Sequence, residues 1–254
     1  MIRRTTTTLF RRVAVPTALA AAVLLAGCAG TGGAVREKTS QEWYDQGSRL
    51  AGDKKYEEAL EAFREAAKGY RGADLDADIQ IALADTYFSQ KEYPAAVEAY
   101  AEFLRLHPHN PRADYAQYRV GLSWQNQMCS ADRSPEPALK AVAAFEAVLR
   151  GYPRSALLDQ ARQGLAGARR RIAEHELSVA DFYRRTGKYR AAAGRYEVVL
   201  HDFADLDLTD RVLYELGGCY RQLREQDKAE RMFEQLRREH PQSRFVRELD
   251  ATKG

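Results

Sequence analysis

Three cysteines and eight prolines in 254 residues are too few for a disulfide scaffold or for a proline-rich extended chain. Cys28, Cys129 and Cys219 are far apart, so no paired-cysteine motif offers a metal site or a thiol-exchange centre. The five histidines are scattered. His107 and His109 flank Pro108, but no cysteine or carboxylate cluster stands at ligand spacing. There is no G-x-S-x-G, no phosphate-binding loop and no other recognisable catalytic set, so neither an enzyme nor a metal protein is expected. A long apolar run is also missing. The nearest approach, Val13 to Gly27, has 15 residues and is short for a membrane span. What remains is a chain with 30% charged and 45% hydrophobic residues, rich in Ala, Leu, Arg and Glu, a composition that favours soluble helices.

The apolar run has a different use. Arg3, Arg4, Arg11 and Arg12 precede it with no acid among them, and Leu25-Ala26-Gly27-Cys28 closes it. This order of basic, apolar and small-residue regions ending in cysteine resembles a bacterial lipoprotein signal. Residues 1–27 are therefore expected to be removed after diacylation of the Cys28 sulfur. No other cofactor is expected beyond the covalent diacylglycerol and N-acyl chain on Cys28. The next residue is Ala29, not the Asp that retains enteric lipoproteins at the inner membrane, so outer-membrane attachment is expected. Residues 28–40, with Gly30, Gly32 and Gly33, read as a lipidated flexible tether. Four arginines of the +3 precursor lie in the leader, which leaves the mature chain near −1. The basic precursor thus carries no argument for nucleic acid, and none is expected as a partner.

Beyond the tether one pattern recurs: a small residue, a large residue three on, a second small residue, then an aromatic four later. It appears as Gly47, Leu50, Ala59, Phe63; as Ala84, Tyr87, Ala96, Tyr100; as Gly121, Trp124, Ala141, Phe145; as Ala180, Tyr183, Ala192, Tyr196; and as Gly217, Tyr220, Ala229, Phe233. Five copies resemble tetratricopeptide repeats, which implies an all-α solenoid of helix-turn-helix units. Ala59 to Ala96 and Ala192 to Ala229 are both 37 residues apart. Ala96 to Ala141 is 45, and the excess falls in the polar Gln127–Pro137, expected as a loop within repeat three. Ala141 to Ala192 is 51, and Ser155 to Arg185 holds no proline, so one helix of about thirty residues, about 45 Å long, is expected there. The organisation expected is an N-terminal block over 41–154, a long helix with a C-terminal block over 155–247, and a tail over 248–254. Cys219 falls on a helical core face; a bridge to Cys129 stays open at this point.

In such arrays the first helices of successive repeats line the concave face. The register there offers Tyr44, Ile81, Asp85, Phe88, Tyr115, Tyr118, Leu122 and Gln125 in repeats one to three, an aromatic-rich groove suited to an extended peptide. The same positions in repeats four and five are Asp181, Arg184, Arg211, Tyr214 and Arg221, a charged face suited to a folded, acidic partner or simply to solvent.

Longer stretches narrow the comparison. Asp114-Tyr115-Ala116-Gln117-Tyr118-Arg119-Val120-Gly121-Leu122, Arg150-Gly151-Tyr152-Pro153 and His175-Glu176-Leu177-Ser178-Val179-Ala180-Asp181-Phe182-Tyr183 resemble the BamD family of outer-membrane assembly lipoproteins. The resemblance spans nearly the whole chain. It implies a lipid-anchored protein on the periplasmic face of the outer membrane. Its partners would be the POTRA domains of a BamA-like barrel subunit, other lipoproteins of the assembly complex, and unfolded outer-membrane protein segments. It also implies that Arg195, in Ala193-Gly194-Arg195-Tyr196, stands at the BamA-facing position. The alternative is a periplasmic repeat lipoprotein that scaffolds envelope or peptidoglycan machinery. Cys28→Ala should move the protein out of the membrane fraction; a variant that stays in the outer membrane would contradict the lipoprotein reading.

Overall fold

The computed structural model describes residues 36–69, 73–131 and 133–251. The leader, Cys28 and most of the tether lie outside the described residues. Within them the chain forms eleven helices and no strand. α1 (Ser40–Gly52) and α2 (Tyr56–Gly69) make the first hairpin, α3 (Ala73–Ser89) and α4 (Tyr93–Leu106) the second, α5 (Ala113–Asn126) and α6 (Glu136–Gly151) the third. α7 (Leu158–Arg185) with α8 (Tyr189–Asp202) is the fourth, α9 (Thr209–Gln222) with α10 (Gln226–Glu239) the fifth, and α11 (Arg244–Ala251) closes the array. Sequential antiparallel helices stacked this way form the tetratricopeptide-type solenoid that the repeat pattern implies. The helical body starts slightly before residue 41. Thr39 caps α1, accepting the Glu42 N–H at 3.2 Å while Glu42 accepts the Thr39 N–H at 2.8 Å.

The repeat pattern has a direct packing cause. In the odd repeats the first-helix glycine receives the second-helix phenylalanine. A Cβ on Gly47 would sit 2.7 Å from Phe63, one on Gly121 2.6 Å from Phe145, and one on Gly217 2.4 Å from Phe233. No side chain fits there. In the even repeats the small residue is Ala84 or Ala180, fully buried, and its partner is Tyr100 or Tyr196, also fully buried. The tyrosine hydroxyl finds an acceptor one residue past the alanine, on Asp85 and on Asp181. The even lock therefore buries a ring while satisfying its polar tip.

The tight turns repeat as well. Lys54, Lys91, Gly187 and Arg224 hold φ of 61°, 67°, 74° and 61°. In each turn the following N–H reaches back to Leu50, Tyr87, Tyr183 or Tyr220 at 2.9–3.0 Å, ending the first helix with a left-handed residue. In repeat three α5 and α6 are separated by the longer connection expected from the sequence, where the other four hairpins have this turn. Glu136 and Pro137 already belong to α6, where a first-turn proline lacks only an N–H that would have no helical partner.

α7 has 28 residues and starts later than Ser155. The Ser155 hydroxyl donates to Asp114 at 2.5 Å and accepts the Leu157 N–H at 3.0 Å, so it shapes the entry turn. The N-terminal half of α7 packs Ala161 and Ala168 with Ala141, Phe145 and Val148 of α6. Its C-terminal half packs Ala173, Leu177 and Ala180 with Ala192 and Tyr196 of α8. Gly164 has a definite purpose: a Cβ there would lie 2.5 Å from Phe145, which is clamped between Gly121 and Gly164.

One reading of the sequence is corrected and one left open is answered. Residues 248–254 are not simply a tail, because α11 runs to Ala251 and buries Leu249 along with Phe245. The N-cap region of α11 repeats that of α7: Ser243 donates to Asp210 at 2.7 Å and accepts the Phe245 N–H at 3.2 Å. Only eight residues of period were too few to reveal it. Second, Cys129 is exposed and Cys219 is buried, and both are free thiols. Gly121→Ala should cost about 2 kcal/mol through overpacking against Phe145. Gly194→Ala, where a Cβ meets nothing within 4 Å, should gain about 0.5–1 kcal/mol of helix stability. Urea unfolding of the two variants checks both signs.

Candidate functional site

The groove residues expected from the register do not form one uniform lining. Asp85, Phe88 and Tyr115 come together around a residue the sequence reading missed, Arg119. Its guanidinium lies 3.7 Å from the centre of the Phe88 ring. Its Nε donates to the Tyr100 hydroxyl at 2.9 Å, and a terminal nitrogen stands 3.5 Å from Asp85. Asp85 accepts the Tyr115 hydroxyl at 2.7 Å besides that of Tyr100. One carboxylate thus ties α3 to both α4 and α5. Arg119 is four residues past Tyr115 and so on the same face of α5, which was the available signal.

Ile81 is corrected outright. It is only 3% exposed and packs with Ala77, Ala84 and Ala116. It lies three residues before Ala84, on the stripe that α5 covers, not on the groove. Tyr44 is half-buried against Phe63 in the separate first-repeat core, with ring centres 5.8 Å apart. Tyr118 leans on Phe145 at 5.9 Å, and Leu122 packs in that same third-repeat cluster. The Gln125 carbonyl oxygen is buried with no hydrogen-bond partner among the described residues, while its amide nitrogen would lie 3.8 Å from a Cβ on Gly167 of α7. The expected groove is therefore a partly exposed floor of packed rings with a charged centre at Asp85 and Arg119.

The second set divides too. Asp181, Arg184, Arg211, Tyr214 and Arg221 gather on α7 and α9, but Arg195 is on α8, where it donates to Glu176 at 2.9 Å. The charges of the gathered set are largely matched internally. Asp181 accepts from Tyr196 at 2.5 Å and from Arg211 at 2.5 Å. Arg184 stands 3.1 Å from Glu215, a second residue that sequence reasoning missed. Tyr214 stacks on Phe245 of α11 at 5.1 Å, so the supposed tail covers part of this face. Arg221 is exposed, its guanidinium 5.2 Å from the centre of the Phe233 ring, and it forms no ion pair among the described residues.

Burial dominates the titration of these groups. It pushes Tyr115 up to about 12, with the Asp85 hydrogen bond and charge adding to the effect. Tyr100 and Tyr196 move further in the same direction, for burial first and their aspartates second. Burial also raises the Glu215 carboxyl and pushes the Cys219 thiol up to about 11, which leaves that thiol protonated and inert at neutral pH. Among the described residues no three His, Cys, Asp or Glu side chains gather as a metal site would require, and no helix is long and apolar enough to cross a membrane.

With this geometry in place, the chain can be set beside known proteins. A sequence model of the YfiO family, described as an outer membrane lipoprotein, matches residues 36–236. The chain is similar to the outer membrane protein assembly factor BamD of Vibrio cholerae serotype O1. The two are 25% identical over 223 residues, covering 84% of this chain and 92% of that one. It is 26% identical over 215 residues to the BamD of Neisseria gonorrhoeae, covering 78% and 80%. To the BamD of Caulobacter vibrioides it is 24% identical over 207 residues, covering 80% and 68%.

Asp85→Ala should destabilise the array by about 2 kcal/mol, since it strands the Tyr100 and Tyr115 hydroxyls. It should also let Tyr115 ionise closer to the ordinary value of 10.0. The sign follows from linkage. The folded phenols titrate above their unfolded value, so their stabilisation is complete below about pH 10 and is lost as pH rises towards about 12. Urea unfolding and the alkaline absorbance titration of tyrosine measure both effects.

Proposed function

The chain belongs to the YfiO family of outer membrane lipoproteins, and from that footing we propose that it is a non-catalytic assembly factor for outer-membrane β-barrel proteins. The observation that carries this is the extent of the family match, which takes in α1 to α9 and most of α10. The lipid on Cys28 would hold it at the periplasmic face of the outer membrane. Repeats four and five would bind the POTRA domains of a BamA-type barrel subunit, and other lipoproteins of the complex would join them. Repeats one to three would receive unfolded barrel segments on the first-helix face, where Phe88, Tyr115 and Leu122 offer partly exposed apolar surface.

Arg195 suits the partner role for a physical reason. It is 46% exposed, while Glu176 beneath it is only 14% exposed. The pair therefore offers an oriented cation with most of its opposing charge turned inward. Arg195→Glu would also set two carboxylates side by side, so Arg195→Gln is the cleaner variant. Affinity purification of the lipidated protein from native membranes should recover a BamA-type barrel subunit, and Arg195→Gln should lower that yield severalfold. Recovery of peptidoglycan enzymes in place of the barrel subunit would overturn the proposal in favour of an envelope scaffold.

A further inference from the structure

The stretch from α3 to α5 superimposes in sequence on that from the end of α7 to α9 at a constant offset. Adding 96 carries Ala84, Asp85 and Tyr100 onto Ala180, Asp181 and Tyr196, which make the same lock and the same hydrogen bond. The same step carries Tyr118 onto Tyr214, Leu122 onto Gly218 and Gln125 onto Arg221. It also exchanges an aromatic–cation pair, Phe88 with Arg119, for an ion pair, Arg184 with Glu215. The place is kept and the chemistry is changed.

Gly218 is the informative residue. Its neighbour Gly217 is required, because Phe233 occupies the space of a side chain. Gly218 has no such reason: a Cβ there meets nothing within 4 Å. A mid-helix glycine without a packing partner costs about 0.5–1 kcal/mol relative to alanine. In the N-terminal half the corresponding Leu122 fills its space within an apolar cluster. In the C-terminal half that space opens into a cavity of about 230 Å³, with Arg184, Tyr214, Glu215, Gly218, Arg221 and Gln222 among its walls. Among the lining residues Arg184 balances Glu215, and Arg221 adds one positive charge with no ion-pair partner among the described residues; Glu248, outside the lining, lies within electrostatic reach of Glu215.

We infer that this cavity is a socket for a single acidic side chain, a Glu or Asp on an extended segment of a partner protein. The carboxylate would sit at Arg221 beside the outer edge of Arg184. The backbone of the partner would cross above Gly218, where a leucine would block it. Tyr214 and Gln222 supply further donors at the rim. The inference deepens the partner-binding reading of repeats four and five, and its test is separate because it needs neither membranes nor a barrel subunit.

The experiment is fluorescence anisotropy with the full protein and a labelled Gly/Ser peptide carrying a central Glu-Glu pair. A Gln-Gln peptide and inorganic phosphate serve as the comparison ligands. The Glu peptide should bind about tenfold more tightly than the Gln peptide. Gly218→Leu and Arg221→Gln should each weaken it about tenfold, with helicity and melting temperature kept or raised for Gly218→Leu. Leu139→Ala, at an exposed position of α6, should leave the affinity unchanged. Equal binding of the two peptides, no binding of either, or unaltered binding to Gly218→Leu would overturn the socket. So would loss of binding in Leu139→Ala, which would place the peptide outside the cavity, and displacement by equimolar phosphate, which would mark a general anion site.

Discussion

The contact on which everything else depends is the seating of one second-helix ring on one small first-helix residue. Phe63, Tyr100, Phe145, Tyr196 and Phe233 are each buried, and each faces a residue too small to push it away. The contact fixes the distance between the helices of a hairpin. Five hairpins of constant width can then stack, and the stack decides which face of each first helix remains open. Two solutions alternate along the chain. Glycine with phenylalanine leaves no room for a side chain. Alanine with tyrosine spends the hydroxyl on an aspartate, which then reaches forward to Tyr115 or Arg211 of the next repeat. Strength within a repeat and coupling between repeats thus come from the same aspartate.

This explains what could be seen in the sequence and what could not. The locks lie 16 residues apart within each hairpin, or 24 where the repeat-three loop intervenes, and such local spacing is readable directly. The loop and the long helix were readable as departures from 37. The open face was harder. Ile81 and Phe88 are two turns apart on α3, yet one is covered by α5 and the other only partly, because the superhelical offset between hairpins decides it. Arg119 and Glu215 were missed for a related reason. Each looks like an ordinary surface charge, and its partner lies far along the chain, Phe88 in one case and Arg184 in the other. Tyr214 was read as open because α11, which covers it, is too short to show a period of its own.

α7 carries the remaining constraint. It is the last wall of the third repeat and the first helix of the fourth, and Gly164 lets it close on Phe145 without disturbing the Gly121 contact. A single helix with both duties joins two halves that keep one architecture and differ in surface chemistry. The N-terminal half offers rings around a cation, whereas the C-terminal half offers guanidiniums around a glycine gap. Binding two unlike partners at once is what that arrangement suits.

On the proposed reading, unfolded barrel segments bind the first-helix face of repeats one to three, between the locks, while Arg195 on the second helix α8 serves the barrel subunit. Site-specific photocrosslinking in intact cells addresses it directly. A benzoylphenylalanine at position 88 or 122 lies on that face, and one at Leu106, which is 43% exposed at the end of α4, lies away from it. Adducts with an unfolded outer-membrane barrel protein are expected from positions 88 and 122 and none from 106. Adducts from 106 with none from 88 or 122 would contradict it.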